Sequence, residues 1–367
     1  MKNGVPAAGQ HRMPPAAAPK IPPAAAGRLS KPVRVSIEVL LLAGLVVLFV
    51  AILDPKQLRE YLLRVTLPSL LGLMAFQLAI HTVGMLQWVV LLRQSGISAS
   101  PWRVFRARLS GCAVTSLTPS AYFGGEPVRA ALLKDQGTNY RQIFATIAVD
   151  KYIELFTKFP IALLGFGFLV VRGRPGTLLV VLSALFVAFF LAIFLLLMIR
   201  LFQGGDFIMR FFKRILRPVT RVRPRLAARI IRPVRDFTRS VARLITSRKA
   251  FSLAMSLGLL LSVVELAQYW YVLAVLGIFS LGNAAIIFFG HVFLGIFSFI
   301  PGNVGSMEGV FLFVFTLLGL GSDRSLIFSM IMRIGQLVMV ALGLANIVVS
   351  RIAQGVTKGA DRIRTGA

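Results

Sequence analysis

The chain of 367 residues has one cysteine, Cys112, and three histidines, His11, His81 and His291. A single thiol excludes an intramolecular disulfide framework. The histidines lie too far apart in the sequence to give the paired spacing of a zinc site. No GxxxxGK[ST] phosphate loop and no GxSxG nucleophile elbow occurs, so the usual signatures of P-loop nucleotide hydrolysis and of serine hydrolases are missing. Acid is scarce: 13 Asp and Glu stand against 41 Lys and Arg, for a net charge of +28. Charged residues of both signs make up only 15% of the chain, where a water-soluble domain carries roughly a quarter. That scarcity disfavours an ordinary soluble enzyme. The 57% apolar content disfavours disorder, which needs a chain poor in Leu, Ile, Val and Phe.

What is present is apolar sequence in long runs, at 35–53, 65–92, 143–171, 176–199, 250–278 and 325–350. Each is about 20 residues or longer, enough to cross a hydrocarbon core of roughly 30 Å. Two stretches differ. The run at 107–117 is short and ends in Thr118 and Pro119. The run at 283–300 ends in Pro301 and Gly302 and is followed by a short one at 310–321. Apolar pieces interrupted by Gly and Pro predict broken or re-entrant helices. The expected fold is therefore an all-α polytopic integral membrane protein, with about six full transmembrane helices and two broken or re-entrant hairpins. Residues 1–34 read as a disordered, basic Ala/Pro-rich tail, 35–350 as the transmembrane domain and 351–367 as a second tail.

The basic excess is localised. The 1–34 tail, the 93–109 stretch, the 200–249 loop and the 351–367 tail hold nearly all of it, and 200–249 alone has 15 basic and 2 acidic residues. Six spans put all four segments on one side. Positive-inside makes that side the cytoplasm and places both termini there. Topology thus accounts for the charge without a nucleic-acid partner. From Pro233 onward, Val234, Phe237, Val241, Leu244 and Ile245 recur at helical spacing, with Arg235, Arg239 and Arg243 between them. This predicts an amphipathic helix lying on an anionic leaflet; a loop that only fixes topology is the plainer alternative.

Two short segments are alike. Pro119 to Glu126 reads PSAYFGGE and Pro301 to Glu308 reads PGNVGSME; each puts Glu seven residues after Pro, with glycine between. Each lies between two long spans, and the charge topology gives the flanking spans opposite directions. The expectation is an inverted repeat of units at about 65–171 and 250–350.

Ionisable residues inside apolar spans need a reason. Glu265 is near the middle of its span, and Asp150 and Glu154 share one face of another, with Lys151 and Lys158 near it. Arg333 lies within the last span. Glu126 and Arg129 follow Gly124 and Gly125 at the first break; Glu308 follows Pro301 and Gly305 at the second. Glycine breaks free backbone N–H groups for an anion such as a lipid phosphate. Arg129, Lys151 and Arg333 could add charged donors, while Glu126, Glu154, Glu265 and Glu308 could balance them or accept from a cationic headgroup. The competing reading is an internal salt-bridge network that only holds helices together. His81 and His291 read as satisfied polar groups in a bundle, and Tyr269, Trp270 and Tyr271 as an interface belt.

At these positions the chain resembles the transmembrane region of lysylphosphatidylglycerol synthases and their stand-alone flippase-like relatives, over about residues 65–350. The resemblance rests on Gly124 through Arg129, on Asp150 and Lys151 with Glu154, on Pro301 through Gly305 to Glu308, and on Arg333. It implies a membrane protein that binds or translocates a phospholipid or related polar lipid, with anionic phospholipid as the expected partner. Only 17 residues follow the last span, so the synthases' soluble aminoacyl-transfer domain is not expected in this chain. No cofactor, metal or catalytic residue is expected. The alternatives are an intramembrane enzyme acting on a lipid-linked substrate and an accessory protein of a lipid pathway, for example a hopanoid one.

Overall fold

The structure, a computed structural model, describes residues 66–118, 124–134, 138–172, 176–202, 224–295, 303 and 305–365. The expected span at 35–53, the 1–34 tail and Pro301 lie outside the described residues. Among the described residues the elements are α1 (Leu67–Gln94), α2 (Pro101–Leu117), α3 (Glu126–Leu133), α4 (Tyr140–Arg172) and α5 (Thr177–Phe202). They continue with α6 (Pro224–Thr246), α7 (Arg248–Val275), α8 (Leu281–Gly295), α9 (Ser306–Leu317) and α10 (Ser322–Thr365), and no strand occurs among them.

Four of these helices are long and apolar enough to cross a membrane: α1, α4, α7 and the Ser322–Ser350 part of α10, with 28, 33, 28 and 29 residues. At 1.5 Å per residue each exceeds the roughly 30 Å of a hydrocarbon core. α5 is a 26-residue helix over the run at 176–199. α10 does not stop where the apolar run stops. It is helical through Thr365, so the expected separate 351–367 tail is largely a continuation of the last helix.

The same order of elements occurs twice: long, short, short, long in α1 to α4, and again in α7 to α10. The joints also match. α1 closes with Gly96 at φ 73° and α7 with Gly277 at φ 78°. In each case the following Ile donates its N–H back to a Leu carbonyl: Ile97 to Leu92 and Ile278 to Leu273, both at 2.9 Å. This is a Schellman close, which needs the left-handed conformation that glycine adopts without a Cβ penalty. A serine then caps the next helix. Ser100 Oγ accepts from the N–H of Arg103 at 3.3 Å, and Ser280 Oγ from that of Asn283 at 3.2 Å.

The two sets interlock. α1 and α7 pack antiparallel: Tyr271 Oη near the end of α7 donates to the Ser69 carbonyl at the start of α1 at 3.0 Å, while Gly258 near the start of α7 lies against Gln87 near the end of α1. α4 packs on α8, and α10 on α2. Both of these contacts are backbone to backbone. A Cβ on Gly165 of α4 would overlap the Ala285 carbonyl, and one on Gly343 of α10 would overlap the Leu109 carbonyl.

The largest apolar cluster lies between α4 and α7 to α10, around Phe288, Phe315 and Phe328. A second holds Trp88, Leu92, Val104, Leu133 and Ile143 beneath α2 and α3. A third corrects an expectation. Val241, Leu244 and Ile245 of α6 are buried against Leu91, Val149 and Ile153, so this end of the apolar stripe is covered by protein and not by lipid. The arginines between them, Arg235, Arg239 and Arg243, are exposed. The amphipathic period marks the sides of a helix; whether lipid or α4 covers the apolar side depends on what lies beside it.

Candidate functional site

The first break lies between α2 and α3. The Gly125 N–H donates to Thr115 Oγ1 at 2.9 Å, and Gly125 sits so close to Gly111 that a Cβ would overlap the Gly111 carbonyl. This contact fixes the start of α3 and directs Arg129, one turn on, into the bundle. There its guanidinium stacks over the Trp88 ring at 3.9 Å and donates to Asp150 Oδ2 at 2.6 Å. Arg108 of α2 donates to the same oxygen at 3.0 Å, with Gly84 leaving the room it occupies. Gln87 Nε2 donates to Asp150 Oδ1 at 2.9 Å. Asp150, Arg129 and Arg108 are 0%, 2% and 4% exposed.

The cluster continues along α4. Arg108 reaches Glu154 at 3.5 Å, Lys151 pairs with Glu154 at 3.2 Å, and Lys158 pairs with Glu265 of α7 at 2.9 Å. Asp150, Lys151, Glu154 and Glu265 are thus brought together with Arg129. Lys158 also lies 3.9 Å from Glu154. Asp150 is matched by two arginines from other helices and not by Lys151, and Lys158 joins α4 to α7. Arg108 and Gln87 were missed. Arg108 reads as one more topology charge of the 93–109 stretch; its signal was a place inside the apolar run at 107–117. Glu126 is half-buried, and its Oε1 has no hydrogen-bond partner among the described residues. Gly124 and Gly125 form the turn.

The second break lies between α8 and α9. Asn303 (φ 53°) and Gly305 (φ 81°) turn the chain in left-handed conformations. Glu308, in the first turn of α9, accepts the Gly305 N–H at 2.7 Å, which satisfies one of the open donors of the helix start. Its carboxylate also takes Arg333 of α10 in a two-point grip, Nε at 2.8 Å and Nη2 at 3.1 Å. Arg333 further donates to the Asn303 carbonyl at 2.8 Å and to Gln336 Oε1 at 3.1 Å. Glu308, Gly305 and Arg333 therefore form one unit, separate from the Asp150 cluster.

Between the two breaks lies a cavity of about 250 Å³. Its wall takes Thr115, Ser116 and Thr118 from the first break and Asn303, Arg333 and Gln336 from the second, together with Gln77, Ser329 and the Tyr269–His291 pair. Tyr269 Oη and His291 Nδ1 share a hydrogen bond of 2.7 Å. Met307, Phe311 and Met332 complete the lining. Of the sequence candidates among the described residues only Arg333 lines this cavity, with Glu308 bonded to it. Tyr269 is 4% exposed, so it belongs to this wall and not to an interface belt. Its neighbour Trp270 is 38% exposed.

The family model described as the lysylphosphatidylglycerol synthase TM region matches residues 35–343, a stretch that contains both breaks, the ion cluster and the cavity. The chain belongs to this family. A UPF0104 membrane protein of Methanothermobacter thermautotrophicus is 23% identical over 320 residues, which cover 84% of this chain and 94% of that one. A UPF0104 membrane protein of Pyrococcus horikoshii is 22% identical over 259 residues, 67% of this chain and 75% of that one. No solved structure matches. Family and helices together make this a multi-pass membrane protein.

Proposed function

We propose that this protein binds a polar lipid by its headgroup and moves it between leaflets. The observation that carries the reading is the cavity at the meeting of the two breaks: polar side chains from both line a partly open space in an otherwise apolar body. Its volume is small against the roughly 300–1,000 Å³ of sites for drug-sized ligands. It suits a headgroup whose acyl chains stay in the bilayer. The resemblance to the synthase membrane region supports a lipid substrate.

The reading includes six spans, an inner-membrane location, cytoplasmic termini and an inverted repeat. The matching order, joints and crossed packing of α1 to α4 and α7 to α10, with α1 antiparallel to α7, support the repeat. In such an architecture the two units exchange conformations about a fixed site, opening it to each side in turn. The decisive experiment is lipid transfer between leaflets in reconstituted vesicles, with Ser116→Trp to fill the cavity. Wild-type transfer that the filled variant loses supports the reading; equal transfer by both, or none by either, overturns it.

A further inference from the structure

We infer that the cavity takes an uncharged, hydroxyl-rich headgroup, such as a sugar or other polyol carried on a lipid, and not a phosphate or an amine. The inference rests on the lipid-handling reading above and names the chemistry of its substrate. Among the described residues the lining contains one Arg and no Lys, Asp or Glu. That Arg333 is already neutralised: Glu308 holds it at two points, and the Asn303 carbonyl and Gln336 accept from it as well. An anionic headgroup would have to displace Glu308 to gain the charge. A cationic headgroup finds no open carboxylate among the described residues of the lining. The adjoining stretches 119–123, 296–302 and 304 contain no charged residue in the sequence, so they add no charge to either side of this argument.

What the lining does offer is neutral hydrogen bonding. The lining carries the hydroxyls of Thr115, Ser116, Thr118 and Ser329 and the amides of Gln77 and Gln336, of which Gln336 Nε2 donates to Ser116 Oγ at 3.5 Å. Hydroxyl and amide groups both donate and accept, as each hydroxyl of a polyol does. Beside them His291 stacks on Phe311, with ring centroids 6.1 Å apart, and Tyr269 meets Phe311 edge-on at 6.4 Å. This aromatic wall matches the C–H face of a sugar ring. A polar rim around an aromatic wall orients a ligand by hydroxyl pattern, and a site built to bond hydroxyls discriminates strongly against ligands that lack them.

The test is binding of the purified full-length protein to lipids with identical acyl chains: a monoglucosyl diacylglycerol, phosphatidic acid and phosphatidylethanolamine, read by native mass spectrometry. Glucosyl lipid is expected to bind about tenfold or more tightly than the other two. Tyr269→Phe and Gln77→Ala should each weaken it by about threefold to tenfold, the loss of one hydrogen bond, and leave phosphatidic acid binding unchanged. Glu308→Gln exposes the Arg333 charge and should raise phosphatidic acid binding, a gain that mere loss of structure does not produce. Phosphatidic acid or phosphatidylethanolamine bound as well as the glucosyl lipid overturns this inference and leaves the lipid-handling reading in place. Absence of binding to any of the three, together with no transfer in vesicles, overturns both.

Discussion

Arg129 and Asp150 meet at 2.6 Å through Nη2 and Oδ2, with both side chains almost wholly removed from solvent. Arg108 shares the same carboxylate oxygen, so one acid holds two guanidinium groups from α2 and α3 against α4. Removing the acid strands two buried cations. Asp150→Asn should cost about 3–5 kcal/mol, seen as a lower midpoint of thermal unfolding in detergent. Lys151→Gln should cost less, because Glu154 keeps Arg108 and Lys158 nearby and the Lys151 side chain is 14% exposed. The reverse order would show that Asp150 does not anchor the cluster. By the same argument Arg129→Ala is a folding variant before it is a transport variant.

Gly125 should not tolerate a methyl group. Alanine there would drive a Cβ into the Gly111 carbonyl, and overpacking of this kind costs about 1–3 kcal/mol. Gly309 in α9 is the control: it has no neighbour within 4 Å of the added Cβ. Gly309→Ala should therefore hold or raise stability by a few tenths to about 1 kcal/mol. Equal midpoints for the two variants would place the first break elsewhere than against α2.

The basic helix α6 is held by its apolar side. Leu244 is 1% exposed, so Leu244→Ala should cost about 2–5 kcal/mol and speed tryptic cleavage among the α6 arginines. The Arg141–Asp236 pair, 2.5 Å apart, joins the same helix to α4, but its side chains are 43% and 48% exposed. Exposed pairs contribute about 0–1 kcal/mol, and Arg141→Ala should leave cleavage nearly unchanged. Comparable protection in both variants would mean that charge, and not packing, docks α6.

The proposed inverted repeat makes a labelling prediction. The equivalent links after α1 and α7 should face opposite sides of the membrane. In a Cys112→Ala background, Ser98→Cys should react with an impermeant thiol reagent from the cytoplasmic side. Phe279→Cys, at a position 77% exposed, should react from the other. Labelling of both from one side would remove the inversion and leave two units of parallel direction.

The sequence by itself determined the solvent and the outline. Apolar runs of membrane length set α1, α4, α7 and the first 29 residues of α10 to within a few residues, because a helix is the simplest way for a lone segment to satisfy its own backbone in lipid. Glycine and proline marked both breaks, since they are local features of the chain. Ionisable residues within apolar runs pointed to Asp150, Glu154, Glu265 and Arg333, because burying a charge is costly wherever it happens. Partnership was not legible in this way. That Asp150 takes Arg108 and Arg129, that Lys158 reaches Glu265, and that Tyr269 meets His291 depends on which helix faces which. Glycines at 84, 111, 165 and 343 allow those approaches, yet each reads in the sequence as one more small residue in an apolar run. The same holds for the cavity. Its hydroxyls and amides carry no charge and cost little in a span, so they stand out only when two distant breaks bring them around one space.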